Sequence, residues 1–300
     1  MKRHHTKRRL KDRPKDYYRN YERRRKNGGK LFKARFKFIL KRIRKFLKTY
    51  PEHRQMLCVL VTWILIKKYS CSLRGMVEEC EARPGLCRKL GMDHVPSKSW
   101  LHKWMKRIPL DLLDSLLLLT AGSGSRRTLS VDSTQYAFNR YVEVEDVRRG
   151  KYYKKATIKQ HALITEDLRI VAVVVTDGNA GDSPALAELC ARAPRGSGHM
   201  LGDSAYCSRE NCRLAAELGR EPCFRPKKGF RVHGMDEWGR MLARCRDHPG
   251  TFYRTYGRRN TIESCFSAVK DRFNFRIRSV TLEMQRREIA VMSICRNLFG

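Results

Sequence analysis

Three acidic residues of this chain stand where their type and position could support chemistry. Asp132 lies in the strand-like run TLSVDST, Asp203 closes a second such run in HMLGDSAY, and Glu263 lies in a helical stretch. Two carboxylates near the ends of adjacent central strands and a third on a helix can hold two divalent metal ions against a phosphodiester. We expect two Mg²⁺ ions, which prefer carboxylate and water oxygens, with Mn²⁺ able to substitute. Asp132 would be shared by both ions, whereas Asp203 and Glu263 would each hold one.

The surroundings of Glu263 carry basic and aromatic residues at fixed spacing. In the stretch YGRRNTIESCFSAVK, Tyr256, Arg259, Glu263 and Lys270 follow one another at intervals of three, four and seven. On one helix, Arg259 and Glu263 share a face and Lys270 returns to it. Arg259 and Lys270 can pair with phosphate oxygens, and Tyr256 can stack on or hydrogen-bond to a displaced nucleotide. The alternative for Arg259 is an ordinary salt bridge to Glu263.

This spacing resembles the signature of a known family. Tyr, two residues, Arg, three residues, Glu, six residues and Lys is similar to the signature of bacterial and archaeal insertion-sequence transposases, and the resemblance covers roughly residues 70–300. These are DDE enzymes with an RNase H-like catalytic domain. The resemblance implies that Asp132, Asp203 and Glu263 form the Asp–Asp–Glu triad. It also implies that Tyr256, Arg259 and Lys270 contact the backbone of the element end.

The resemblance further implies the reaction and the partners. Hydrolysis at the element end exposes a 3′-OH, and the same site then joins that hydroxyl to target DNA. The partners would be double-stranded DNA, as element ends and as target, and a second copy of the chain in the DNA complex. Between Asp203 and Glu263 we expect only a short loop (KKGFRVHGMDEWGR) with solvated Asp236 and Asp247. Some relatives carry a β-rich insertion there, so the formation of hairpin DNA intermediates stays open.

The net charge favours a polyanionic partner. The chain has 65 Lys+Arg against 30 Asp+Glu, a formal net charge of +35, and residues 1–50 alone hold 22 of the basic and 3 of the acidic residues. Nucleic acid is the natural counterpart of such an excess, because neutralised phosphates release counterions. An anionic membrane surface is the alternative.

Cysteine spacing and hydropathy argue against a zinc-finger protein, a secreted protein and a membrane-spanning protein. The eleven cysteines form no CxxC pair and no zinc-finger spacing with histidine, so we interpret them as reduced thiols used as small apolar residues. We expect no secretory signal, and the most apolar run, residues 57–66, is too short to cross a bilayer. The protein is therefore expected in the cytoplasm of a prokaryotic cell, associated with the nucleoid and without a membrane partner.

Changes in composition predict three regions. Residues 1–50 form a basic arm that ends in an amphipathic helix over 31–48, suited to DNA, to core packing or to a membrane. Residues 51–120 read as all-helical, and residues 121–300 as the catalytic domain. Within the helical region, the basic helix after Ser97 buries Leu101, Trp104, Met105 and Ile108 at helical spacing.

The other face of this basic helix is cationic. A helix, a tight turn and a basic helix resemble a helix-turn-helix, in which the second helix contacts DNA. The alternative is a helical bundle with a solvated basic face. The residues expected to contact DNA on this face are Lys98, His102, Lys103, Lys106 and Arg107.

The order of elements predicts an α/β fold with an RNase H-like mixed five-stranded sheet flanked by helices, preceded by the all-helical DNA-binding region. Asp182 reads as the N-cap of the first helix, and His161 as a core or supporting residue rather than a metal ligand. The predicted strands are 127–132, 156–165, 168–176, 200–203 and 222–225, and the predicted helices are 183–193, 208–218, 262–273 and 281–298.

Four functions compete for this sequence. The leading one is a DNA transposase that binds element ends, cleaves them with two metals and transfers the 3′-OH to target DNA. A stand-alone RNase H-like nuclease would not need the basic helical region. A DNA-binding relative without catalysis would not need the three acids, and a basic structural protein would explain residues 1–50 alone.

Overall fold

The computed structural model describes residues 40, 41, 43–45, 47, 48, 52–122, 128–146, 150–273 and 276–299. Ile43–Gly300 form one compact unit. The predictions for residues 1–39, including most of the amphipathic helix over 31–48, lie outside the described residues. The described residues between 40 and 47 are helical, and Ile43 and Leu47 are buried.

The region predicted to be all-helical consists of five helices. Ser72 and Ser97 cap the second and fourth, because their Oγ atoms accept hydrogen bonds from Gly75 N (2.9 Å) and Trp100 N (3.1 Å). Gly91 ends the third helix in the left-handed conformation, at φ 79°. The helices are α1 (His53–Tyr69), α2 (Leu73–Ala82), α3 (Pro84–Leu90), α4 (Lys98–Arg107) and α5 (Leu110–Ala121).

The connection before α4 differs from the one predicted for a helix-turn-helix. The connection between α3 and α4 spans residues 91–97, which is longer than the turn of about three to four residues in that motif. Pro96 lies in this connection and is buried, so part of the connection is packed inside the protein rather than forming an exposed turn. The predicted apolar face of α4 is correct, since Leu101, Trp104 and Met105 are all buried.

A five-stranded mixed sheet follows the helical region. Its spatial order is β3-β2-β1-β4-β5; β1 pairs antiparallel with β2, and β2 with β3, whereas β4 runs parallel to both β1 and β5. The predicted RNase H-like α/β fold is therefore confirmed. The strands are β1 (Leu129–Asp146), β2 (Gly150–Thr165), β3 (Ile170–Asp177), β4 (His199–Gly202) and β5 (Glu221–Phe224).

In the part of the chain that the structure describes, six helices lie between and after the strands. The last of them, α11, is buried along most of its length and packs against α1, α5 and β3. It thereby joins the helical region to the sheet in one core. The helices are α6 (Ala185–Arg192), α7 (Arg209–Glu217), α8 (Glu237–Asp247), α9 (Pro249–Gly257), α10 (Asn260–Phe273) and α11 (Leu282–Phe299).

The first two strands are longer than predicted. β1 continues to Asp146 and β2 starts at Gly150, so a two-stranded ribbon extends beyond the region that β3 covers. Cross-strand pairs hold it, because the Tyr153 hydroxyl donates to Glu143 (3.0 Å) and Lys155 lies over the Tyr141 ring (5.8 Å). Such polar pairs give no hydrophobic alternation, which is why the ribbon escaped the prediction.

The expected loop between β5 and α10 is correct only in part: residues 225–236 are irregular, but helices α8 and α9 follow them. Met241, Leu242 and Cys245 of α8 are buried at helical spacing against the sheet. Asp236 is not merely solvated: its Oδ1 accepts from Gly239 N (2.9 Å) and caps α8, and it pairs with Arg209. Asp247 is exposed, as expected, and pairs with Arg246.

Asp182 is not the N-cap of α6. That helix begins at Ala185 without a side-chain cap. The Asp182 carboxylate instead turns toward β2, where its Oδ1 lies 3.2 Å from Lys159 Nζ and 3.5 Å from His161 Nδ1. The ion pair with Lys159 outcompetes the local capping hydrogen bond.

The cysteines are free thiols, as their spacing in the sequence predicts. All eleven cysteines are free and most are buried, and burial raises the pKa of the Cys190 thiol to about 12. Across the part of the chain that the structure describes, no single helix is long and apolar enough to cross a membrane. The bent pair α1–α2 meets that criterion only when its two members, which meet at 104°, are joined.

Candidate active site

The sheet brings the first two acids together. β1 and β4 pair in parallel, with Leu129 opposite Met200 and Ser130 opposite Leu201. Asp132 and Asp203 each lie two residues further along their chains, so both reach the same level of the sheet on neighbouring strands. Asp132 lies inside the long β1 rather than at its end, and Asp203 directly follows β4.

A glycine allows this close approach. A Cβ atom at Gly202 would lie 2.8 Å from both Phe224 Cδ1 and Val131 Cγ1, closer than real side chains come. Only glycine lets β4 pass between its neighbours without moving them. The residue before Asp203 therefore helps to set the position of its carboxylate, whose Oδ1 accepts from Ala205 N at 2.9 Å.

The side chain of Arg259 links Glu263 to Asp132. Glu263 lies in the first turn of α10, which packs against β1. Arg259 Nη1 donates to Asp132 Oδ2 (2.6 Å), and Arg259 Nη2 donates to Glu263 Oε1 (3.0 Å). Because both carboxylates contact one planar guanidinium, Asp132 and Glu263 oxygens lie within about 8 Å of each other. The three acids thus gather beside the middle of the sheet, at the carboxyl end of β4.

The three carboxylates differ in their surroundings. The Asp132 side chain is 20% exposed, and that of Glu263 is 62% exposed. Burial raises the pKa of Asp132 and the negative charge of Asp203 adds to this, while the Ser133 amide and Arg259 oppose it. Asp132 is therefore the acid that most needs a positive partner when it is ionised.

The basic motif does not form one helix. Tyr256 lies on α9, Arg259 lies in the break between α9 and α10, and only Glu263 and Lys270 lie on α10. The Arg259 guanidinium lies 6.0 Å from the Tyr256 ring centre, and Lys270 Nζ lies 5.4 Å from that of Tyr136. Partial burial lowers the pKa of Lys270. The salt bridge from Arg259 to Glu263 forms; phosphate contacts by Tyr256, Arg259 and Lys270 stay predictions.

The basic face of α4 has the exposure that DNA binding requires. Arg107 lies 3.7 Å from Glu52 and its guanidinium lies over the Trp104 ring, at 5.0 Å. DNA contact by this face stays a prediction. Its exposed residues are Lys98, His102, Lys103, Lys106 and Arg107.

The donor set suits hard divalent cations. Three carboxylates offer the oxygen ligands that Mg²⁺ and Mn²⁺ prefer. Among the residues that the structure describes, however, no three His, Cys, Asp or Glu side chains converge as a ready metal site. Arg259 explains this, since its guanidinium lies between Asp132 and Glu263. The chemistry of these side chains therefore suits a divalent cation, whereas in this structure the Arg259 guanidinium occupies the space between Asp132 and Glu263.

Sequence reasoning gave no site role to Tyr206 or Asp182. Tyr206 is fully buried in the turn after Asp203. Burial raises the pKa of its hydroxyl, and the negative charges of Asp182, Asp132 and Asp203 raise it further. His161 packs beside Asp182, in agreement with its interpretation as a core or supporting residue. The only available signal was the position of Tyr206 three residues after Asp203 in GDSAY.

Fold and site together define a class of protein: an RNase H-like domain in which β1, the end of β4 and α10 carry three acidic residues. The family model of the transposase DDE domain matches residues 123–298, more than half of the chain, and the chain belongs to this family. The match contains the three acids and the whole Tyr-Arg-Glu-Lys motif. No curated protein and no solved structure matches the chain.

Proposed function

We propose that this transposase binds the ends of its element, cleaves DNA there with two divalent metal ions and joins the exposed 3′-OH to target DNA. The supporting observation is that strand register brings Asp132 and Asp203 to the same level of the sheet and that Arg259 links Asp132 to Glu263. Asp132 would contact both ions, and Asp203 and Glu263 one each.

The proposed metal ions, Mg²⁺ or Mn²⁺, would supply charge neutralisation and activation of water or a 3′-hydroxyl when bound. The protein side chains do the positioning. Arg259 is held by charge-assisted hydrogen bonds to two carboxylates, and phosphate oxygens accept the same forked donors. Incoming DNA backbone can therefore replace the carboxylates as the partner of Arg259, which frees Asp132 and Glu263. Lys270 and Tyr256 would hold the strand beside them.

The remaining partners follow from the charge. The exposed basic face of α4 supports binding of double-stranded DNA, first as the element end and then with target DNA. The protein would act as a homodimer on DNA, without a membrane partner, in the nucleoid-containing cytoplasm of a prokaryotic cell. Recombination requires two ends to be held at once, which is the reason for the second copy.

A plasmid assay tests this function. Purified protein is incubated with one plasmid that carries the inverted repeats flanking its gene and with a second plasmid that lacks them. We expect cleavage at the repeats, and joined products, with Mg²⁺ or Mn²⁺ but not with excess chelator. Equal nicking of both plasmids would favour the stand-alone nuclease. Binding without any cleavage would favour the inactive DNA-binding relative.

The basic face of α4 gives a separate prediction. Replacing Lys103 or Lys106 by Ala should weaken DNA binding and reduce the slope of log affinity against log salt by about one, because each lysine neutralises about one phosphate. The measurement is a binding titration at several salt concentrations. Arg213→Ala is the control, because Glu210 and Glu217 already match that exposed charge. An unchanged slope for both lysine variants would contradict DNA contact by α4.

A further inference from the structure

A cleft of about 780 Å³ lies between the helical region and the end of α10. One wall consists of α1 and α4, and the other consists of the last turn of α10, residues 276–281 and the start of α11. The buried side chains of Trp63, Met105 and Met284 contribute to the lining, so core residues form part of the cleft. His102 and Lys106, from the basic face of α4, also line it, whereas the three acids of the candidate active site do not.

The charged residues of the cleft are mainly cationic. Among the described residues, five lysines and arginines line it against two acids, Asp271 and Glu288. Glu288 is bound to Lys67, so this pair adds no net charge. Lys106 on α4 and Arg276 on the opposite wall are exposed, and neither forms an ion pair within the part of the chain that the structure describes. An anion that entered the cleft would therefore be attracted from both walls.

Two elements connect the cleft to the candidate active site. Arg276 pairs with Ala137 of β1 in a parallel bridge. Ala137 lies five residues beyond Asp132 on the same strand, which corresponds to about 17 Å. The helix α10 gives a similar span, because Asp271 lies eight residues beyond Glu263, or about 12 Å along the helix axis. The cleft therefore begins about 12–17 Å from the acids.

The charge of the cleft favours DNA as its occupant. The basic arm of this chain, residues 1–50, carries 22 basic and 3 acidic residues, so a cationic cleft repels it. DNA offers an anionic backbone, and proteins contact DNA largely through phosphate oxygens that accept from Arg and Lys. The basic face of α4 also continues into the cleft through His102 and Lys106. A DNA strand between the acids and α4 would therefore meet cations on both walls of the cleft.

We propose that this cleft binds the sugar–phosphate backbone of the element end, with Arg276 and Lys106 contacting phosphates from opposite walls. The basic face of α4 and the active site of one chain would then hold the same DNA end. The inference rests on the proposed function, because the bound DNA is the end that the three acids would cleave. DNA advances about 3.4 Å per nucleotide of each strand, so the contacted phosphates lie about four or five base pairs from the cleaved bond.

Arg276→Ala tests this inference, because the exposed Arg276 side chain forms no hydrogen bond or ion pair with the described residues. We expect the affinity for a duplex that ends in the inverted repeat to fall about tenfold. The slope of log affinity against log salt should fall by about one. Ethylation interference should show that the lost contacts are the phosphates about four or five base pairs from the cleavage site. Arg213→Ala is the control for the loss of one positive charge, since Glu210 and Glu217 pair with Arg213 outside the cleft.

Asp271→Asn should change DNA affinity in the opposite direction. Asp271 is an exposed acid in the wall of the cleft, so its removal ends the repulsion of a phosphate bound there. We expect the affinity for the same duplex to rise roughly two- to fivefold. Asp247→Asn is the matched control, because it removes the same charge from an exposed position outside the cleft and should give a smaller gain.

All titrations are carried out with excess chelator, so that they do not depend on metal-dependent cleavage. Wild-type affinity and salt slope in Arg276→Ala would overturn the inference, and so would equal gains in Asp271→Asn and Asp247→Asn. If Arg276→Ala does not fold, the comparison of the two acidic positions decides the matter. If the wild type cleaves at the repeats while the cleft variants bind DNA normally, only this inference has failed. If the variants behave as expected but the wild type does not cleave at the repeats, the proposed function has failed.

Discussion

Asp132→Asn, Asp203→Asn and Glu263→Gln are each expected to reduce DNA cleavage by about a thousandfold or more. Each change removes one anionic ligand but keeps the shape of the side chain. Metal ions contribute several kcal/mol to such reactions, and each 1.4 kcal/mol corresponds to about a tenfold change in rate. DNA binding should survive, since it depends on cationic residues elsewhere and loses no positive charge.

Single-turnover cleavage and a parallel DNA-binding titration measure these two quantities separately. Asp247→Asn is the control, because Asp247 is an exposed acid that pairs with its neighbour Arg246 and lies outside the site. Cleavage retained by one variant would remove that residue from the site. Loss of DNA binding in all three would show that the acids serve the fold rather than the chemistry.

Glu288→Gln should destabilise the protein by about 3–5 kcal/mol, because it breaks a buried ion pair and leaves one charge without a partner. Glu288 on α11 is 3% exposed and binds Lys67 on α1, which is 12% exposed. Its carboxylate also accepts from the backbone N of Arg278 (3.1 Å) and of Ser279 (2.9 Å). The substitution therefore weakens the contact between α1 and α11, which connects the helical region to the sheet.

The same residue predicts a pH dependence. Burial opposes ionisation of Glu288, but Lys67 and the hydrogen bonds from Ser279 and Arg278 outweigh it, so its pKa is lowered below the ordinary 4.5. For a carboxyl with a lowered folded pKa, the stabilisation is complete above the unfolded pKa and is lost as the pH falls through the folded value. The stability difference between wild type and Glu288→Gln should therefore shrink below about pH 4.5.

Chemical unfolding across a pH series measures this difference. Glu79→Gln is the control, since Glu79 is 51% exposed and its partner Arg83 is 72% exposed, so this ion pair lies at the surface. We expect a change of well under 1 kcal/mol for the control. A Glu288→Gln variant as stable as wild type would contradict a structural role for the ion pair.

A strand of the sheet could be predicted from the sequence where a run of its successive residues is buried. β3 shows six consecutive buried residues in IVAVVVTD, and α6, α5 and α11 pack against it, so the apolar run identified it. The ribbon of β1 and β2 could not be found this way, since its cross-strand pairs are polar. Helix α8 was missed although Met241, Leu242 and Cys245 recur at helical spacing, because the arginines and the glycine among them made the segment resemble a polar loop.

The three acids could be identified before the fold, whereas their arrangement could not. The spacing of Arg259 and Glu263 indicated their contact, but the second contact, to Asp132, depends on where α10 docks against β1. Likewise, His161 and Asp182 are far apart in sequence and meet only because the loop after β3 folds back against β2. No local pattern reports such a meeting.

The placement of Arg259 also bears on how the protein can be handled. A chain whose acidic centre depended on bound cations for assembly would unfold when they were stripped away. Here one guanidinium already bridges two of the three carboxylates from within the chain and offsets one of their two negative charges. The protein should therefore fold, purify and keep its melting temperature in the presence of a chelator, and regain full activity once the ions are restored together with DNA.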